Sequence, residues 1–236
     1  MPRIIPWMVG AIATIAGIVA ATAADRINVV EDNDVVFARD EHYTQGLRLG
    51  YATDLDPAGL VAPGVDWLLQ ALSSEGAVTR RVGELSFGQS IFTPHNLNTK
   101  RPPANDRPYA GWLYIGGSYA RDSDGVRLDA IELLIGQIGP SSLAQSVHND
   151  FHAAIRSVAA QGWETQVDHR YGFVASYERY VRLRTTSDRG YTTELLPQLG
   201  LTVGNILTYP SAGLLARVGN RERQLAPHLR RRHRPL

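Results

Sequence analysis

Two histidines, His148 and His152, stand four residues apart in a segment whose hydrophobic residues recur at helical spacing. Residues at this spacing share one face of a helix. Such a pair is a candidate zinc site, but the zinc-protease pattern requires Glu directly after the first His, and Asn149 is there instead. One imidazole acting as a general base on water is the simpler hypothesis, since histidine exchanges protons near neutral pH. The alternative is a surface helix with two solvated histidines.

A second polar cluster, Glu31-Asp32-Asn33-Asp34, interrupts the first candidate strand. Acidic residues are poor strand formers, and three adjacent carboxylates repel one another unless a cation or solvent intervenes. Carboxylate and amide oxygens suit a hard cation such as Ca²⁺. A solvated strand end or a polar barrel lumen is the alternative.

Thr44 opens the following candidate strand, and hairpin pairing is expected to bring it close to Asn33. A threonine hydroxyl and an asparagine amide can each donate a hydrogen bond to a developing oxyanion. An ordinary strand threonine is the alternative.

The histidines lie on the single strong helix prediction, near residues 142–159. Pro140 precedes it, Ser142 is the expected cap, and Gln145 is expected to close a capping box and to share the side of His148. The residues predicted to form its apolar face are Leu143, Val147, Phe151, Ala154, Ile155 and Val158. Gly162 ends the segment.

The rest of the chain predicts an all-β, antiparallel fold. About eight candidate strands are separated by turn residues, and the segment between the second and third reads as a loop with a short helix. Their ranges are 27–37, 43–53, 81–92, 109–121, 126–138, 171–184, 191–203 and 206–218. Strands of about ten residues with aromatic residues near their ends favour an outer-membrane β-barrel. A periplasmic β-sandwich is the alternative.

The two ends of the 236-residue chain differ from this pattern. Arg3, an apolar run and Ala21-Thr22-Ala23 predict a signal peptide at 1–23, with an uncleaved anchor as the alternative. The barrel domain is then 24–219. Residues 220–236 form a basic tail, either disordered and able to bind anionic phosphate groups or the product of a frameshift or truncation. The chain has no cysteine and a net charge of +1, which excludes a disulfide framework and gives no indication of a nucleic acid partner.

A structural role is predicted for one segment at a loop-to-strand junction: Asn105-Asp106-Arg107-Pro108-Tyr109-Ala110-Gly111-Trp112. Asp106 and Arg107 are expected to form an ion pair there, and Gly111 is expected to let Trp112 pack closely.

Taken in order, several segments resemble the lipid A 3′-O-deacylase family over residues 29–219. They are Asn33-Asp34…Phe37, Tyr43-Thr44-x-Gly46, Gln89-x-x-Phe92-Thr93-Pro94, the segment 105–112, Gly136-x-Ile138-Gly139-Pro140, His152 and Gly162-Trp163-x-x-Gln166. The resemblance implies a twelve-stranded outer-membrane barrel whose active site lies near the outer leaflet, between the wall and a helix of an external loop.

The resemblance also implies roles for individual residues. His152 matches the catalytic histidine that activates water, and Asn33, Asp34 and Thr44 match residues of the same site. The implied cofactor is Ca²⁺, for which Asp34 and Asp32 are the expected ligands.

The sequence departs from the family at several positions. His148 stands where the family has Gln, and Lys100 is the candidate for a family lysine; both are expected to bind substrate. No carboxylate is found near Val158, where a family glutamate is expected. About eight strands are predicted, against the twelve of the family, and three possibilities follow. The barrel closes with fewer strands, it assembles with another chain, or the gene product is truncated.

Three functions stay open. The first is a calcium-dependent carboxylic ester hydrolase that removes the ester-linked 3′-acyloxyacyl chain from lipid A of lipopolysaccharide in the outer membrane. The second is a non-catalytic or truncated outer-membrane barrel that binds lipid. The third is a soluble periplasmic β-protein.

Overall fold

The computed structural model describes residues 14–19, 25–33, 45–59, 61–72, 76–188 and 191–220, which form one antiparallel sheet of ten strands and two short α-helices. The strands are β1 (Thr14–Val19), β2 (Arg26–Asn33), β3 (Gln45–Asp54), β4 (Val78–Phe92), β5 (Ala110–Ser123), β6 (Arg127–Ile138), β7 (Arg170–Val181), β8 (Arg184–Asp188), β9 (Tyr191–Gly204) and β10 (Tyr209–Asn220). Their order in the sheet is β1-β2-β3-β4-β5-β6-β7-β9-β10, and β8 pairs with β9.

The eight predicted strands are confirmed, as β2 to β7, β9 and β10. The prediction of one strand over 171–184 is wrong at its end, because β7 stops at Val181 and the chain turns back as the separate strand β8. β1 lies within the predicted signal peptide and pairs with β2. The cleavage itself stays a prediction, and the basic tail beyond Asn220 lies outside the described residues.

The two faces of the sheet differ in chemistry. One face carries large apolar side chains that are about half exposed, among them Leu49, Phe87 and Ile135. The other carries charged and small polar side chains that are buried, among them Glu84 and Glu132. Apolar residues outside and polar residues inside are the arrangement of an outer-membrane barrel rather than of a soluble sandwich.

Arg48 shows that the sheet curls toward its polar face. Its guanidinium on β3 donates to Glu84 on β4 and to Glu132 on β6, at 2.5 and 2.8 Å. In a flat sheet, β3 and β6 would stand about 14 Å apart, beyond the reach of this contact. The polar face is therefore the concave one, and we call it the lumen; the apolar convex face is the outer wall.

The two ends of the sheet also differ. At one end, Asp124 and Gly125 have φ values of 52° and 64° and form a tight hairpin turn between β5 and β6. Helix α1 (Ala62–Leu72) follows β3 at this same end, which we call the turn end. The long segments 93–109 and 139–169 lie at the opposite, loop end.

Helix α2 (Ala144–Ala154) lies at the loop end and confirms the predicted helix, although it is shorter. A 3-10 turn at Pro140–Ser142 precedes it. The predicted capping box is wrong, because Leu143 is the N-cap residue in a left-handed conformation (φ 60°) and its side chain makes no cap. The Ser142 hydroxyl accepts only a long hydrogen bond, of 3.4 Å, from the Ala144 amide. Neither α1 nor α2 has the length and apolar character of a membrane-spanning helix, and the described part of the chain contains no other candidate.

Candidate functional site

A buried pair of aromatic side chains, Tyr109 and Trp163, supports the loop end of the molecule, and we call this pair the aromatic floor. Tyr109 is fully buried at the start of β5, and its hydroxyl donates to the carbonyl of Leu97 at 3.0 Å. Trp163 packs on Tyr109 at a tilted angle of 50°, with ring centroids 5.0 Å apart. The same cluster also contains Ile91 of β4, Ala144 of α2 and Ala160. This packing holds the segments 93–109 and 139–169 together over the outer wall.

Gly111 allows α2 to seat directly on β5. A Cβ at this position would collide with Ser142 Oγ and Ala144 Cβ. The Gly139 amide donates to the Gly111 carbonyl at 3.0 Å, and the Gln89 amide donates to the Ser142 carbonyl at 2.6 Å. The predicted structural role of this segment is confirmed, but the group that approaches Gly111 is the start of α2 rather than Trp112.

Helix α2 turns its polar face inward and its apolar face outward. His148 and His152 are 1% and 2% exposed, whereas Leu143 and Val158 are 60% and 61% exposed. The alternative of two solvated histidines is wrong, because both rings are buried. Gln145 is also exposed, and Ala144 takes its expected place in the buried face.

The surroundings of His152 select its tautomer. Nδ1 lies 2.7 Å from the carbonyl oxygen of Val158. A carbonyl only accepts hydrogen bonds, so Nδ1 carries the proton in the neutral ring and Nε2 carries the lone pair. A turn builds this contact: Arg156 has φ 58°, and the Ser157 amide donates to the His152 carbonyl at 2.8 Å. The ring is thereby oriented with Nε2 as the proton acceptor.

His148 lies beside this imidazole. The centroids of the two rings are 4.1 Å apart at an interplanar angle of 33°, and the Trp163 ring meets His148 edge-on at 5.6 Å. The two histidines thus share one buried face, as the sequence predicts. Trp163 packs on His148, and His148 in turn packs on His152.

Asp106 organises the loop that covers the floor. Its carboxylate accepts from the amide of His95 at 3.0 Å and from the amide of Arg107 at 2.7 Å. Burial lowers the pKa of Arg107, and the charge of Asp106 opposes that effect. An arginine nevertheless stays protonated at any physiological pH, so this loop carries a permanent positive charge close to the site.

The strand register gives the positions of two further predicted site residues, Asn33 and Asp32. Asn33 is the backbone partner of Gln45, which is the partner of Ile91, which in turn faces Gly111. This row runs across the sheet to the seat of α2, so the end of β2 and the helix occupy the same level of the sheet. Asp32 lies one position earlier, opposite Gly46, and only the backbone is described for Asp32 and Asn33.

Thr44 and Asp34 lie outside the described residues. Lys100 is exposed in the segment 93–109, and its carbonyl accepts from the Thr165 hydroxyl at 2.7 Å. That contact ties Lys100 to the turn that carries Trp163. The structure therefore gathers His148, His152 and the backbone of Lys100 at one end of the sheet.

Two functional neighbours were missed at the level of the sequence. Trp163 supports His148, and the Val158 carbonyl orients His152. The sequence predicts Val158 only as an apolar residue of the helix and as a position that lacks the carboxylate of the family. The glycine before Trp163 is the sequence feature that indicates close packing there, because a Cβ at Gly162 would collide with the Tyr109 ring. A backbone carbonyl leaves no signal in a sequence.

Calcium is the cofactor that the resemblance implies. The carboxylates of Asp32 and Asp34 are of the chemical kind that Ca²⁺ prefers. Within the described ranges, no group of three His, Asp or Glu side chains is arranged to hold a metal. A calcium site at the end of β2 thus stays a prediction that depends on these two aspartates.

Comparison with known proteins gives two matches. The family model described as "Outer membrane protein LpxR" matches residues 7–232. The solved structure of LpxR from Salmonella typhimurium has a similar fold, with a TM-score of 0.64 and 23% sequence identity. The similarity covers 84% of this chain and 64% of that structure, so the chain spans less than two thirds of the length of the protein it matches. No curated protein matches the chain.

Proposed function

This chain belongs to the LpxR family of outer membrane proteins, and from that premise we propose that it is a calcium-dependent hydrolase that removes the ester-linked 3′-acyloxyacyl chain from lipid A. The outer-membrane localisation and the barrel fold expected from the sequence are confirmed by the family and by the fold match, and the alternative of a soluble periplasmic protein is wrong. We propose three further features: lipid A as the substrate, calcium as the cofactor, and the catalytic residues.

The observation that carries the proposal is the oriented imidazole of His152. Its Nδ1 proton is held by the Val158 carbonyl at 2.7 Å, which leaves Nε2 as the base. A base with one fixed tautomer is ready to take a proton from water. His148, 4.1 Å away between ring centroids, packs beside it and gives the site a second polar group that can contact substrate.

The reaction follows from these groups. Nε2 of His152 takes a proton from water while the water oxygen attacks the ester carbonyl carbon. The tetrahedral intermediate then breaks its bond to the sugar oxygen, which takes the proton from the imidazolium. The products are a carboxylic acid and a sugar hydroxyl, and the histidine is again neutral. Donors on Asn33 and Thr44 are proposed to stabilise the oxyanion.

The outer wall offers a surface for the acyl chains. A cavity of about 610 Å³ lies on it, lined by apolar side chains that include Phe87, Ile115 and Phe173. It also includes Leu113 and Gln137, which share a register row with Gln89, the residue that binds the start of α2. A hydrocarbon chain in this groove would thus end next to the seat of the helix that carries both histidines.

The exposed side of α2 fits the same substrate. Leu143, Val147 and Ile155 are 60, 40 and 48% exposed. An apolar helix face directed away from the protein is stable where the surroundings are lipid rather than water. The active site is therefore proposed to lie at the level of the outer leaflet, where lipid A is found.

Calcium is proposed to bind Asp32 and Asp34 and, when bound, to polarise the ester carbonyl. A direct test is terbium luminescence, since Tb³⁺ replaces Ca²⁺ at oxygen sites. The wild-type protein should bind Tb³⁺ in competition with Ca²⁺, and Asp34→Asn should weaken that binding. Equal binding by both proteins would remove Asp34 from the ligand set.

The hydrolase proposal is tested with purified lipid A in detergent, with calcium and with a chelator. Release of a fatty acid or acyloxyacyl acid by the wild type in calcium alone supports it. If no acid is released by the folded protein under either condition, the second candidate is favoured. That candidate is a lipid-binding barrel without catalysis, to which the apolar wall and α2 would be equally suited.

A further inference from the structure

Helix α1 has no part in the proposed catalysis, and its surroundings are unusual. It follows β3 and lies on the outer wall at the turn end, whereas α2 lies at the loop end. Leu69 and Ala62 are buried against Tyr119, and Val65 and Ile131 pack on this cluster. The residues of β4 to β7 that meet α1 lie on the convex face of the sheet, which at this end carries Arg81 and Arg121 beside its apolar side chains.

The single charged residue of α1, Asp66, points at the wall. Its carboxylate accepts from the Tyr119 hydroxyl at 2.6 Å and from Arg81 at 2.7 Å. Its carbonyl accepts from Arg121 at 3.3 Å. The side of α1 that faces away is left without charge.

That outer side is strongly apolar. Trp67 is 73% exposed, and Leu68 and Leu72 are 47 and 56% exposed. A helix in contact with water normally shows the reverse pattern, with its charge outward and its large apolar groups inward. Tryptophan beside leucine on an exposed helix face is typical of a helix that lies in a membrane interface.

A groove continues this surface onto the barrel wall. A cavity of about 820 Å³ runs between α1 and the strands, lined by Val65, Leu68 and Leu72 on the helix and by Leu85, Leu133 and Leu201 on the wall. The three wall residues are 72, 53 and 53% exposed and belong to the face that meets membrane hydrocarbon. The groove is thus an extension of the membrane-contacting surface.

We propose that α1 is an interfacial anchor that binds phospholipid of the periplasmic leaflet, with an acyl chain in the groove and Trp67 at the headgroup boundary. Short turns of outer-membrane barrels face the periplasm and long loops face outward, which assigns α1 to that leaflet. The helix holds the turn end at a fixed depth, independently of any hydrolysis at the loop end.

The experiment is fluorescence quenching in vesicles. The full-length protein is refolded into phosphatidylcholine vesicles whose acyl chains carry bromine either near the headgroup or near the chain end. Trp67→Phe is measured in parallel, so that the difference between the two spectra is the emission of Trp67. We expect a blue-shifted Trp67 emission that loses more intensity to bromines near the headgroup than to bromines near the chain end.

Two results would overturn the proposal. One is a red-shifted Trp67 emission that neither bromolipid quenches, which would place the helix in water. The other is an emission that is unquenched but blue-shifted only at high protein density, which would assign the surface to a second copy of the chain. A further variant, Leu68→Gln, should weaken quenching while leaving the buried Leu69 contact intact; unchanged quenching would contradict the role of this face.

Discussion

At the scale of single residues, the proposed hydrolysis depends on two neighbouring histidines with different roles. His152 has its Nδ1 proton bound by a carbonyl, and His148 packs between His152 and Trp163. The first arrangement suits a base, and the second suits a group that positions substrate. Substitution separates these roles.

Replacing His152 with Gln should remove hydrolysis. A glutamine side chain fills similar space but cannot take a proton from water, and loss of a general base lowers rates by about 10²–10⁴-fold. The measurement is the rate of acid release from lipid A. The control is His95→Gln, which changes an exposed histidine at the same end. Full activity of His152→Gln would show that another group is the base.

Replacing His148 with Gln should have a smaller effect. The resemblance places glutamine at this position in the family, and an amide can still hydrogen-bond to substrate. We therefore expect the rate constant to stay close to the wild-type value and the change to fall mainly on KM. A loss in kcat as large as that of His152→Gln would mean that both imidazoles take part in proton transfer.

At the scale of the elements, the position of α2 depends on one glycine. At Gly111 a Cβ would meet Ser142 and Ala144, whereas at Gly117, on the same strand and the same face, it would meet nothing within 4 Å. These two glycines form a matched pair.

Gly111→Ala should displace α2 and reduce activity, with a cost in stability of about 1–3 kcal/mol from overpacking. Gly117→Ala should leave both properties close to wild type. Hydrolysis rates and the midpoint of urea unfolding measure the two effects. Equal behaviour of the two variants would show that α2 is not seated through Gly111.

The sequence predicted the existence of these elements better than their orientation. Turn residues located eight strands and the helical spacing of apolar residues located α2, because both are local signals. The sequence identified the apolar residues of α2 but not the direction in which they point, and a helix in contact with water would bury them. Beside a membrane the relation inverts, and the structure exposes Val147 and buries His148. The Val158 carbonyl that orients His152 is set by a turn, which side-chain identities do not encode.

At the scale of the whole molecule, the curl of the sheet depends on charges in the lumen. Arg48 links β3 to β4 and β6 through Glu84 and Glu132, whose side chains are only 6 and 1% exposed. A buried network of this kind is strongly destabilised when one partner is removed, because a charge is then left without compensation.

Arg48→Met should therefore destabilise the folded state by about 3–5 kcal/mol. The measurement is the urea midpoint of the protein in vesicles, together with its heat-dependent shift in gel mobility. Arg101→Met, at an exposed loop position, is the control and should behave as the wild type. If both variants unfold at the same urea concentration, the network does not hold the curl.

The central claim is that this outer membrane protein hydrolyses an acyl ester of lipid A with His152 as the base. The most direct measurement is mass spectrometry of lipid A from cells that express the wild type or His152→Ala, in calcium and in chelator, at equal outer-membrane levels. The account predicts the loss of one acyloxyacyl unit with the wild type in calcium and unchanged lipid A in the other three samples. Unchanged lipid A in all four samples, or the same loss with His152→Ala, would contradict it.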